Sequence, residues 1–168
     1  MNITLIGFMG TGKSAVGQAL AGQLGLRYVD ADALIEETEK QSINEIFAQK
    51  GEAYFRDLET NLLKKLQSSD GCVLAAGGGM VLRAENVKML KALGPVVLLQ
   101  ASPAVIYARI KNEKHRPLLK VPDPAAEIAK ILEKRKTAYA QAADFAVDTS
   151  VHSVEAVAQE VIKWLKSR

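Results

Sequence analysis

The chain has a single cysteine, Cys72, so no disulfide can close within it, and a reducing compartment suits it. It has no apolar run near the roughly 20 residues that cross a bilayer, so no membrane span is expected. Its start has no basic segment, and the apolar stretch Ile3 to Ile6 is cut short by Gly7 and Gly10. A secretory leader is therefore not expected, and the expected location is the cytoplasm. Nor is there a large charge of one sign. Twenty-two basic residues face 19 acidic ones, and a net charge of +3 gives no reason to expect nucleic acid as a partner. Internal repeats and low-complexity segments are absent too.

What remains is the composition of a globular protein, 48% hydrophobic and 24% charged. A length of 168 residues fits one domain, 1–168, with a core large enough to fold alone. Short apolar runs alternate with helical patterns. Asn2–Ile6, Tyr28–Asp30, Cys72–Ala76, Val96–Gln100 and Phe145–Val147 read as strands buried on both faces. Helices are expected over Lys13–Leu24, Leu58–Leu66 and Glu85–Leu93, and over Pro103–Ile110, with Ser102 as its cap. The last helix is the clearest, with Val154, Val157, Ala158, Val161, Ile162 and Leu165 at helical spacing after Ser153. Strands alternating with helices imply an α/β fold, a parallel sheet covered on both sides. Lys111–Pro124 breaks the pattern. It is basic, contains Pro117, Pro122 and Pro124, and has no clean period, which suits a lid or binding loop.

The sharpest motif is Gly7-Phe8-Met9-Gly10-Thr11-Gly12-Lys13-Ser14, a full match to G-x-x-x-x-G-K-[ST] between a strand and a helix. Such a loop wraps a phosphate with backbone N–H groups, so side chains must be missing where it bends back. The helix behind it turns its positive end to the anion. Gly10, Thr11, Gly12, Lys13, Ser14 and Ala15 are the expected ATP-binding residues. Lys13 would reach the β and γ phosphates, and Ser14 would take Mg²⁺ directly.

Three further clusters should face the same crevice beyond the carboxyl ends of the strands. They are Asp30-Ala31-Asp32 after the second strand, Phe55-Arg56 with Glu59, and Gly77-Gly78-Gly79 after the third strand. With these residues the sequence resembles the shikimate kinases. The likeness runs from Met1 to the last helix, through GFMGTGKS at Gly7–Ser14, DAD at Asp30–Asp32, FRDLE at Phe55–Glu59, GGG at Gly77–Gly79, RPLL at Arg116–Leu119, and Arg135 with Tyr139. The resemblance implies a three-layer P-loop kinase fold with a five-stranded parallel sheet in the order 2-3-1-4-5. It also implies an acceptor-binding region near 31–60 and a mobile lid near 111–124.

The family pattern assigns roles. Arg56 and Arg135 would bind the carboxylate of shikimate. Asp32 would bind the hydroxyl to be phosphorylated and take its proton, and Asp30 would hold Mg²⁺ through water. Gly77, Gly78 and Gly79 would approach the substrate, with the Gly78 N–H as a donor. Arg116 in the lid would contact the ATP phosphates, and Arg109 would stack on adenine. The expected catalytic residues are thus Lys13, Asp32 and Arg116. The residues by themselves leave alternatives. Asp32 could cap the helix after Asp30, and Glu59 could orient Arg56 or be an ordinary helix pair. Arg109 could be a solvated helix residue, His115 a solvated lid residue, and Cys72 plain core. Around Ser150-Val151-His152 the sequence departs from family members that carry a basic residue beside adenine. The expected partners are shikimate and ATP with Mg²⁺, acting on a monomer. A kinase for gluconate or a nucleoside monophosphate, a nucleotide-dependent switch, and an inactive interaction module are the competing readings.

Overall fold

A computed structural model describes residues 1–113 and 120–168. In chain order it has β1 (Ile3–Ile6), α1 (Lys13–Leu24), β2 (Arg27–Asp30), α2 (Ala31–Glu39), α3 (Ile43–Leu66), β3 (Cys72–Ala75), a 3-10 turn (Met80–Leu82), α4 (Ala84–Leu93), β4 (Val96–Gln100), α5 (Pro103–Ile110), α6 (Pro124–Ala142), β5 (Phe145–Asp148) and α7 (Val154–Lys166). The five strands form one parallel sheet in the order β2-β3-β1-β4-β5, as the resemblance implied. The central strand β1 is buried along its whole length.

The continuous apolar runs arise because alternate strand residues feed two different cores. Ile3, Leu5, Val73, Val97 and Leu99 point to α1 and α7, packing on Val16, Leu20, Val157 and Val161. Ile6, Leu74, Val96 and Leu98 point the other way, onto Leu63 and Leu66 of α3, Leu90 of α4 and Tyr139 of α6. Cys72 is a buried core thiol. A smaller cluster joins Phe8 of the glycine-rich loop to Ile106, Ile110 and Ile128. A fourth, Ile35, Ile46 and Phe55, ties α2 to α3.

Two helices go beyond the sequence reading. The α3 helix starts at Ile43, not near Leu58, under a capping box of Ser42 and Glu45. Gly51 interrupts it with φ 81° and ψ 172°, and this kink breaks the hydrophobic period. The α6 helix starts at Pro124 with Asp123 as its cap, where the sequence shows mainly a proline-rich segment. Arg116, His115 and the RPLL match lie outside the described residues. No helix among those described is long and apolar enough to cross a membrane.

Candidate active site

The loop between β1 and α1 bends through Gly10 (φ 74°) and Gly12 (φ 96°), values that a side chain resists. A Cβ on Gly10 would also lie 2.8 Å from the Ile110 side chain. Thr11 is buried, and its hydroxyl donates to the Phe8 carbonyl at 2.7 Å, bracing the bend. Lys13 Nζ donates to the carbonyls of Gly7 and Phe8, both at 2.9 Å, so the ammonium lies across the loop mouth. Ser14 and Ala15, in the first turn of α1, are exposed.

Behind the loop, Arg109 is held in place. Its guanidinium donates to the Gly10 carbonyl at 3.1 Å, and to the Thr149 hydroxyl and carbonyl at 3.0 and 2.6 Å. Thr149 is itself buried and donates to the carbonyls of Thr11 and Gln100. This threonine pins the end of β5 to the phosphate loop, and no local sequence signal marks it. Beside it, the Ser150 hydroxyl accepts from the Ser102 N–H.

The two aspartates divide their work. Asp30 caps α2, accepting from the Ala33 N–H at 3.1 Å, while Asp32 lies in the first turn of the helix and is half-buried. The Tyr28 hydroxyl donates to the second oxygen of Asp30 at 3.1 Å. Burial, opposed by the Ser14 hydroxyl and reinforced by Asp30 and Asp32, pushes the Tyr28 phenol up to about 12. It is therefore a neutral donor near pH 7. Ser14 and Asp30 offer a hydroxyl and a carboxylate, hard oxygen donors of the kind Mg²⁺ prefers. Among the described residues no three His, Cys, Asp or Glu side chains converge on one point. The donor set therefore fits an ion held largely by phosphates and water.

The three-glycine turn after β3 is where the residues expected to bind the acceptor converge. A Cβ on Gly77 would lie 2.8 Å from Asp32 Oδ1 and 2.7 Å from Glu59 Oε1. One on Gly79 would run into the guanidinium of Arg56. One on Gly78 would lie 3.7 Å from Arg135 Nη1 and 3.5 Å from the Gly7 carbonyl. A side chain would therefore crowd the carboxylates at Gly77 and the guanidinium at Gly79, while Gly78 has only ordinary contact distances. Arg135 donates to the Gly78 carbonyl at 3.3 Å, and Tyr139, one turn on, donates to it at 2.6 Å. The three clusters thus meet around one turn, which lies against the glycine-rich loop.

Glu59 is no surface pair. It is fully buried and accepts from Arg56 Nη1 at 2.8 Å, while the exposed Glu52 accepts from Nη2 at 3.1 Å. Its other oxygen, Oε1, has no hydrogen-bond partner among the described residues. Burial pushes the Glu59 carboxyl above its ordinary value, Arg56 opposes the shift, and the Asp32 charge adds to it. Arg56 is held charged by Glu59 and Glu52 against the burial that works the other way.

Known proteins resemble this chain in sequence and fold. The family model described as "Shikimate kinase" matches residues 9–166. The chain belongs to the shikimate kinase family. A shikimate kinase of Thermodesulfovibrio yellowstonii is 46% identical over 96% of this chain and 93% of its own length. One from Pelotomaculum thermopropionicum is 44% identical over 98% and 95%. Among solved structures, the shikimate kinase of Acinetobacter baumannii in complex with shikimate superposes with a TM-score of 0.94 at 36% identity, covering 99% of this chain and 93% of that one. A gluconokinase of Sinorhizobium meliloti is similar at a TM-score of 0.59 but only 16% identity, a likeness of fold alone. Among the competing readings, the comparisons thus favour the shikimate kinase family over a gluconate kinase.

Proposed function

We propose that the chain transfers the γ-phosphoryl group of ATP to the 3-hydroxyl of shikimate, giving ADP and shikimate 3-phosphate, a step in chorismate and aromatic amino acid biosynthesis. The observation that carries this reading is the meeting of Arg56, Arg135 and Asp32 on one glycine turn that itself touches the phosphate loop. A site with two cations on one side and a carboxylate on the other suits a substrate with an acid group and ring hydroxyls.

In this reading the forked guanidinium groups of Arg56 and Arg135 hold the substrate carboxylate. Asp32 orients the 3-hydroxyl and accepts its proton as the oxygen attacks phosphorus. The backbone N–H groups from Gly10 to Ala15 cradle the phosphates, and Lys13 swings from the loop carbonyls onto the β and γ oxygens. Arg116 of the lid adds charge to the transferring group, and Arg109 borders the adenine. Gly77, Gly78 and Gly79 let the substrate approach the backbone. Mg²⁺, when bound, would neutralise charge between the β and γ phosphates, with Ser14 as direct ligand and Asp30 reaching it through water. Positioning and electrostatics do the catalysis, with no covalent enzyme intermediate. The chain acts as one domain, as a monomer and in the cytoplasm, with region 31–60 receiving the acceptor and 111–124 closing over ATP.

The direct test is ADP release from MgATP with and without shikimate, with gluconate and nucleoside monophosphates as controls. Turnover that requires shikimate is expected. Turnover with a control acceptor alone would keep the phosphate loop's role and discard the acceptor site.

A further inference from the structure

Tyr28 stands out as a side chain whose polar end is not explained by its packing. Its ring covers Gly17 in the middle of α1, where a Cβ would lie 2.7 Å from the ring edge. Glycine inside a helix is less stable than alanine, so the helix gives up stability to seat this ring. A phenylalanine would fill that space equally well. The hydroxyl must therefore be explained by what it reaches.

It reaches both expected metal-holding groups. Ser14 precedes Gly17 by three residues and so shares its face of α1. From the ring's seat over Gly17 the phenol oxygen donates to Asp30 Oδ2 at 3.1 Å, and the Ser14 hydroxyl is close enough to act on the phenol. The other Asp30 oxygen is occupied by the Ala33 N–H at 3.1 Å. Asp30 is thus fixed at both oxygens, and as a carboxylate it can only accept. Any hydrogen bond between Ser14 and Tyr28 must then run from the serine, because the single Tyr28 O–H is given to Asp30. A serine that gives its proton to a neighbour turns its lone pairs the other way, toward the open side of the loop. A hydroxyl ligand to a hard cation needs this orientation.

We propose that Tyr28 is a positioning residue for the divalent metal carried in with the nucleotide, orienting the Ser14 hydroxyl and the Asp30 carboxylate toward it. The proposal rests on the reading that Ser14 and Asp30 serve that metal. Groups that orient metal-binding side chains in this way typically contribute about 10–100-fold to metal affinity.

The test uses Mn²⁺ as the probe, titrated into the full chain saturated with ADP and followed by electron paramagnetic resonance. Metal-free ADP affinity is measured beside it. Tyr28→Phe keeps the ring over Gly17 and should fold with an unchanged melting temperature. It is expected to raise the Mn²⁺ dissociation constant about tenfold while leaving metal-free ADP and shikimate affinity as they were. Ser14→Ala should raise it at least as far, and the double variant should lose less than the product of the two single effects, exceeding Ser14→Ala only by the part that Tyr28 exerts through Asp30. Wild-type Mn²⁺ affinity in Tyr28→Phe, with Ser14→Ala impaired, would overturn the role of Tyr28 and leave the metal reading standing. An equal loss of metal-free ADP affinity in Tyr28→Phe would also overturn it, as plain loop distortion. Unchanged Mn²⁺ affinity in both Ser14→Ala and Asp30→Asn would overturn the metal reading itself.

Discussion

The two sides of the crevice are built in opposite ways. The side proposed to bind phosphate is made by consecutive residues, Gly7 to Ala15, with backbone N–H groups and Lys13 as its proposed working groups. The acceptor side is made by side chains from α2, α3 and α6, gathered by a turn of three glycines. A contiguous site needs only that its loop adopt its dihedrals, whereas a dispersed site needs the whole fold to bring its parts into register. The acceptor side also has a burden that the phosphate side lacks: the fully buried Glu59, whose charge Arg56 must offset.

This contrast can be probed in order of expected effect. Lys13→Ala removes the lysine of the glycine-rich loop. It should lower kcat about 10²–10³-fold with little change in shikimate binding, read by steady-state kinetics and calorimetry. An unchanged kcat would break the assignment of that side.

Arginine-to-lysine changes separate the two acceptor cations. Either Arg56→Lys or Arg135→Lys loses a planar fork and should raise the KM for shikimate roughly tenfold with the KM for ATP unchanged. Only Arg56→Lys should also lower stability, by about 1–3 kcal/mol in urea unfolding, because it disturbs the partner of a buried carboxylate. Equal stability loss in both would erase the distinction drawn from their contacts, since Arg135 bonds a backbone carbonyl.

The smallest effect is in the pH dependence of stability. Glu59 has its carboxyl pushed up in the folded chain. Its contribution is therefore fully present below the unfolded value of about 4.3 and is lost as pH rises through the higher folded value. Thermal melts of the wild type should fall relative to those of Glu59→Gln as pH climbs through that window. Parallel curves for the two proteins would show that the buried carboxyl titrates normally.

The same contrast governs what the sequence could reveal. The glycine-rich loop between β1 and α1 was legible in the sequence, because its signature is local. The capped starts of α5 at Ser102 and α7 at Ser153 were legible for the same reason. The start of α3 was hidden by the kink at Gly51, and that of α6 by the prolines before it. The acceptor residues could be named only through the family likeness, since nothing local tells Arg56 from any helical arginine. Thr149 and Tyr28 were missed because their importance lies in partners far along the chain, although Gly17 inside α1 was a faint sign of the latter. Asp30 and Asp32 were both singled out, but which one caps α2 became clear only from the hydrogen bond to Ala33.

The central claim is that the glycine turn gathers the acceptor site, and Gly79 tests it most directly. Gly79 has an ordinary backbone conformation, φ −103°, so alanine is tolerated there except where its Cβ meets the Arg56 guanidinium. Calorimetric titration of shikimate into Gly79→Ala should show affinity weakened about tenfold or more, with MgATP affinity unchanged as proof of an intact fold. Undiminished shikimate affinity in that variant would contradict the account.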